Sequence, residues 1–334
     1  MELLISHKSA LEYWRLHGLA QVDTEHRQRR KTVPSDTPTD LELQRMDARG
    51  LSFPFEITVG SLSSLRRLKK VRRTHVSSEP LPEGSIFDVG GGLFVASPEL
   101  CFFQLASRLP LAKLLRLGLE ICGTYSLPAN EAAYAEHEIK EKGFKNRPAL
   151  SSVERLSSFL ARSRGQLDQR QLTSVLHYIA NGSASPMESK LLILLALPYR
   201  HGGFGLPLPE LDALVEPGRA VKKLSDKKES NRSSSGIKDY RCDFYWRELK
   251  LAVEYDSDSY HLLSKQKADD SKKKNYLLSR GIQVITVSKL QMQSVMETER
   301  VAHQIAARHG RRLKYKNSLE WSGKHLQLRR QLSI

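Results

Sequence analysis

Cysteine is scarce in this chain. Its three residues, Cys101, Cys122 and Cys242, lie far apart and form no Cys-x-x-Cys pair. That pattern excludes a disulfide framework and a zinc ribbon, and it suits a reducing cytoplasm. Long apolar runs are missing as well: "LLILLAL" at 191–197 is the longest, too short for a membrane span and fit for a core. The opening "MELLISHKSALEYWRLHG" has an acidic second residue and a broken apolar pattern, which argues against a secretory leader. Acid is in deficit, with 37 Asp and Glu against 53 Lys and Arg, a formal charge of +16. The bias favours an anionic partner, nucleic acid first; an inert basic surface is the bland alternative. Aromatic residues are few, and Trp14, Trp246 and Trp321 read as packing residues rather than as platforms for bases.

Turn residues and changes of hydrophobic period divide the 334 residues. Residues 1–18 predict a short strand and a helix, capped at Ser6 or Ser9 and stopped by Gly18. The basic stretch "SSLRRLKKVRRTHV" at 63–76 fits an amphipathic helix or a charged strand pair. "IFDVGGGLFVASPEL" predicts a hairpin turned at the three glycines, then a helix opened by Ser97 and Pro98. The glycines lack the spacing of a phosphate-binding loop. Helices follow at 150–163 and 168–181, and another opens at Ser185–Pro186. Beyond it the period turns strand-like at "GRAVKKL", "DYRCDFYWR" and "KLAVEYDS"; then come a charged helix over 264–280, the strand "GIQVITVS" and the helix "METERVAHQIAARHG". The expected fold is α/β (α+β). A mixed α/β N-terminal domain spans 1–145, a helical connection 150–182, a mixed sheet flanked by helices 183–315, and a basic tail 316–334.

The second sheet carries the chemistry. Asp243 stands between Cys242 and Phe244, and Glu254 stands within "AVEY", both against strand propensity. If Arg247 pairs with Lys250 around a two-residue turn, Asp243 lies across from Glu254 on one face. Asp256 then shares that face, opposite Arg241. Facing carboxylates repel unless a proton or a cation intervenes, and an all-oxygen ligand set suits Mg²⁺ or Mn²⁺. Structural readings compete: a turn cap for Asp243, an ion pair with Arg241 for Asp256, the helix dipole for Glu188, an ordinary loop imidazole for His261.

Asp243, ten intervening residues, Glu254-x-Asp256, His261, the Asp270-x-x-Lys273 pair and "GIQVITVS" together resemble the PD-(D/E)XK nuclease superfamily. The likeness is to the branch similar to very-short-patch-repair endonucleases, and it covers about residues 183–310. It implies a restriction-endonuclease-like fold and metal-dependent hydrolysis of phosphodiester bonds in DNA, in repair or in defence against mobile elements. On that resemblance Asp243 and Glu254, with Asp256 beside them, hold Mg²⁺ or Mn²⁺. Glu188 assists from its helix, His261 serves as general base or as a shield for the leaving oxygen, and Lys273 neutralises transition-state charge.

Asp256 occupies the superfamily's usual lysine position, and Ser257 stands where a glycine is usual. These departures keep a second reading open, a nuclease fold that binds DNA as an antitoxin-like regulator without cutting it. Residues 75–125, with "LPEGSIFDVGGGLFVASPELCFFQLASRL", resemble a region of AbiEi-type antitoxin proteins, which points to the same DNA-associated setting.

Overall fold

The computed structural model describes residues 2–19, 29–30, 32–34, 37–64, 67–77, 80–129, 143–163, 169–215, 240–256, 264–313 and 319–334. They form two units, Met1–Asn181 with Gln331–Ser333, and Gly182–Arg330 with Ile334. Both are mixed α/β.

In the first unit, β1 (Leu3–Ile5) is an unbroken apolar triplet because both of its faces are covered. It leads through Ser6 into α1 (His7–His17), which Gly18 ends, as its pattern predicts. The other strands of this sheet are β2 (Arg29–Arg30), β3 (Phe55–Val59), β4 (Val71–Val76), β5 (Ile86–Asp88) and β6 (Leu93–Ala96), in the spatial order β2-β5-β6-β1-β3-β4. β1 runs parallel to β6 and antiparallel to β3. Gly90, Gly91 and Gly92 all take positive φ, which a side chain would strain, and so turn the β5–β6 hairpin. The basic stretch resolves as a strand: β4 lies at the sheet edge, parallel to β3, with Arg72 and Arg73 exposed. Charge at such an edge discourages pairing with another chain.

Helices α2 (Asp40–Arg45), α3 (Pro98–Ala106), α4 (Leu111–Ile121), α5 (Val153–Arg162) and α6 (Gln169–Leu176) complete the longer elements of this unit. Ser97 caps α3 as expected, its Oγ accepting from the Leu100 N–H. A short pair, β7 (Tyr125–Ser126) and β8 (Lys145–Asn146), stands apart from the large sheet.

The second unit opens with α7 (Pro186–Ala196), almost wholly buried. Its sheet comprises β9 (Glu210–Val215), β10 (Tyr240–Trp246), β11 (Leu251–Asp256) and β12 (Gln283–Ser288), ordered β12-β11-β10-β9. The hairpin β10–β11 is antiparallel, while β11 and β12 are parallel and connected through α8 (Ser264–Ser279). α9 (Lys289–Gln293) and α10 (Val295–Arg308) follow. β9 corrects the sequence reading. Prolines before "ELDALV" disguise its alternation, and the expected strand over 218–224 lies outside the described residues. The stretch expected as a basic tail forms α11 (Leu319–Leu332). Trp321 and His325 on it stack at 4.7 Å between ring centres, and His325 is buried. The Trp321 indole N–H donates to Gly203 O at 3.1 Å. Among the described residues no helix is long and apolar enough to cross a membrane.

Candidate functional site

The hairpin supplies the frame. Its pairs Phe244↔Val253, Tyr245↔Ala252 and Trp246↔Leu251 set the expected register, and carrying it one step on places Asp243 across from Glu254. The turn is longer than the expected two residues: Arg247–Leu249 form a 3-10 turn and Lys250 takes φ +46° to close it. Apolar side chains hold the strands, with Phe244, Ala252 and Val253 fully buried.

Regular alternation fails at the acid itself. β9 and β10 pair at Cys242↔Ala213 and Phe244↔Leu211 but skip Asp243 and Asp212, and Asp212 has φ +45°. Strict alternation would place Cys242 on the face opposite Tyr245 and Glu254. Instead Cys242 joins one buried cluster with Tyr245, Ala252 and Leu277, which places its thiol beside Glu254. At this local break, with the β9–β10 register unchanged on either side, the Asp243 carboxylate turns toward β11, where Oδ2 accepts from the Tyr255 N–H at 2.7 Å. Asp243 and Glu254 stand opposite each other in the expected register. They are neighbours across a local break in the pleat.

Three further groups surround them. Lys273 on α8 donates to Glu254 Oε2 at 2.6 Å, and both side chains are largely shielded from solvent. Glu254 Oε1 is buried with no hydrogen-bond partner. On α7, Glu188 is 8% exposed, and its Oε2 accepts from the Ala184 N–H at 2.9 Å. Its own N–H is capped by Ser185 Oγ, so this carboxylate also closes a helix N-terminus. Asp212, unnoticed in the sequence, adds a nearby negative charge.

Burial dominates the electrostatics. It pushes the Glu188 carboxyl up to about 7, with Asp243 adding to the shift and the Ala184 N–H opposing it. Glu254 is likewise pushed up to about 7 by burial and then by Asp243, against the pull of Lys273. Asp243 is raised by burial despite the Tyr255 N–H and Lys273. Lys273 stays above its ordinary value because Glu254 outweighs the burial that would lower it. With the carboxylates ionised, three negative charges and one ammonium leave two charges unmatched, and a divalent cation would balance them. The all-oxygen donors and the orphaned Glu254 Oε1 fit such an ion; Lys273 on Oε2 competes with it.

The remaining expected residues divide. Asp256 ends β11 opposite Ser288 of β12 and is half-buried. Arg241, expected opposite it, donates instead to Asp212 across the β9–β10 pair, at 2.9 Å to Oδ2. His261 and the Asp270 side chain lie outside the described residues.

The first unit holds a second polar cluster that could hold a metal ion. Among the described residues, His7, Glu56 and His75 form the group of three whose ligand atoms all lie within 4.8 Å of one another. The acids of the second unit are not gathered that closely, because Asp243 stands between two glutamates on separate elements. Positions 7, 56 and 75 carry no motif spacing. One sign was legible all the same: Glu56 interrupts the strand "FEITV" as Glu254 interrupts "AVEY".

Comparison with protein-family models, with curated proteins and with solved structures finds no match to this chain.

Proposed function

We propose that the second unit is a metal-dependent endonuclease of PD-(D/E)XK type acting on DNA. The observation that carries the reading is the half-buried pair Asp243 and Glu254 beside Lys273, with one Glu254 oxygen lacking any partner. Asp243 and Glu254 would hold Mg²⁺ or Mn²⁺, and Asp256 stands one turn of the pleat further along β11. When bound, such an ion polarises the scissile phosphate and lowers the pKa of an attacking water.

The chain's own groups supply the rest. Lys273, which donates to Glu254 Oε2, would meet negative charge developing on a phosphate held beside it. It fills from a helix the role of the lysine that Asp256 replaces. Glu188 takes a proton readily near neutrality and faces Asp243 from α7. His261 is assigned by the resemblance as the proton acceptor. The formal charge of +16 favours approach of a polyanion.

The test is nicking of supercoiled plasmid by the purified full chain with Mg²⁺ or Mn²⁺. Cleavage that survives Glu254→Ala unchanged sinks the assignment.

One observation favours a second reading. The Lys273 ammonium occupies the position at Glu254 where an ion would sit, as expected of a nuclease fold that binds DNA without hydrolysing it. Salt-sensitive DNA binding with no turnover in either ion selects this alternative.

A further inference from the structure

We propose that His7, Glu56 and His75 form a site in the first unit for a first-row divalent transition metal of the Zn²⁺ class, with Arg108 holding the cation's place until the metal enters. Two imidazoles and one carboxylate make a donor set suited to Zn²⁺ or Co²⁺ and poorly suited to Mg²⁺. The site is independent of the nuclease reading and of the acids that carry it.

The surroundings aim the ligands. His7 has φ +52°, a strained conformation for a residue with a side chain, and it persists only where neighbours enforce it. Three contacts do so. The His7 N–H donates to Gln104 Oε1 at 3.0 Å, its carbonyl accepts from Cys101 Sγ at 3.1 Å, and its Nδ1 lies 2.9 Å from Ser6 Oγ. Ser6 Oγ is itself fixed by the Thr58 hydroxyl. Tying up one ring nitrogen in this way orients an imidazole and leaves the other for a metal. Glu56 and His75 come from the parallel neighbours β3 and β4, and the rings of His7 and His75 stack at 3.7 Å with 25° between their planes. An ion would enter at the open edge of that wedge.

The buried Glu56 carboxylate needs a cation. Arg108 provides one: Nη1 is 2.7 Å from Glu56 Oε2, and Nη2 is 3.1 Å from His75 Nε2. Arg108 follows α3 and its side chain is 25% exposed, so it can leave toward water without disturbing the core. Metal and guanidinium then compete for the same oxygens and nitrogens. A bound ion would also fasten the edge strand β4 to β3 and to the start of α1.

The experiment uses the full chain carrying Asp243→Asn and Glu254→Gln, which silences the second unit's acids. After EDTA dialysis, Zn²⁺ is titrated by calorimetry and Co²⁺ by its visible absorption. The expected result is one ion per chain, with the absorption intensity of nitrogen-containing, low-coordinate Co²⁺. His75→Ala should weaken binding by about 10- to 100-fold. Arg108→Gln should strengthen it by about tenfold, since a competing charge at contact distance is removed. Circular dichroism of each variant separates loss of a ligand from loss of fold. Failure of both the parent and the Arg108→Gln protein to take up either ion, or uptake indifferent to His75→Ala in a folded protein, overturns the proposal.

Discussion

Asp243 Oδ2 accepts the Tyr255 N–H at 2.7 Å, so a side chain stands where main chain of the adjoining strand would continue the ladder. The carboxylate is thereby held by a backbone group of the very strand that carries Glu254. Neither acid can move far without the other.

Asp243→Asn separates charge from architecture. The amide oxygen still accepts from Tyr255, so the circular dichroism spectrum should be unchanged, while Mg²⁺-dependent plasmid nicking should fall by on the order of 10²-fold or more. Equal nicking rates for the two proteins would remove Asp243 from the reaction.

The contribution of Glu188 and Glu254 to the stability of the metal-free protein should fall as pH rises from about 4.5 to about 7. Glu188 and Glu254 are raised from 4.5 to about 7 by burial, with Asp243 adding to both. Across that window these two groups hold more protons in the folded chain than in the unfolded one, so their deprotonation favours unfolding, while His7, lowered to about 3 by burial, acts in the opposite sense. Asp212 and Asp243 face the same groups as negative neighbours, while Lys273 and the Cys242 thiol oppose the trend. Thermal melts in EDTA should show the parent losing stability relative to Glu188→Gln with Glu254→Gln as pH rises through that window, and Mn²⁺ at pH 8 should restore what the parent lost.

The three thiols should be silent. Cys101, Cys122 and Cys242 are all buried, and burial pushes each above its ordinary value, Cys242 to about 12. A thiol-reactive chromophore at neutral pH should label none of them in the native protein and three per chain in denaturant. Rapid native labelling of Cys242 would mean that the break beside Glu254 is open to solvent.

How much of this was legible in advance follows the range of each interaction. The α1 stop at Gly18, the α3 cap at Ser97 and the β10–β11 register depend on residues close in sequence, and the patterns there were sufficient. The break at Asp243 was not legible, because it comes from the left-handed Asp212 on a strand some thirty positions earlier. The same holds for the partner of Arg241 and for the convergence of His7 with His75, which topology alone creates. The basic run at 63–76 fitted a helix as well as a strand pair because charge hides the half-burial of Val71 and Val76 on a sheet edge.

Gly203→Ala should destabilise the second unit by about 2 kcal/mol or more, because a well-packed site cannot absorb the extra atom. A Cβ there would lie 1.9 Å from Leu197 O, which is main chain and cannot rotate aside. Urea denaturation monitored by tryptophan fluorescence gives the difference, and a change within error would show that the turn yields.

The close seat of the last helix on this turn has a practical corollary. Lys324 and His325 backbone atoms would lie within 2.7 Å of a Cβ at Gly202, and Trp321 and His325 cover Phe204. Trimming the chain at residue 313 to obtain a smaller fragment would uncover that aromatic floor, and the shortened product should precipitate during expression. Purification handles belong at the other end.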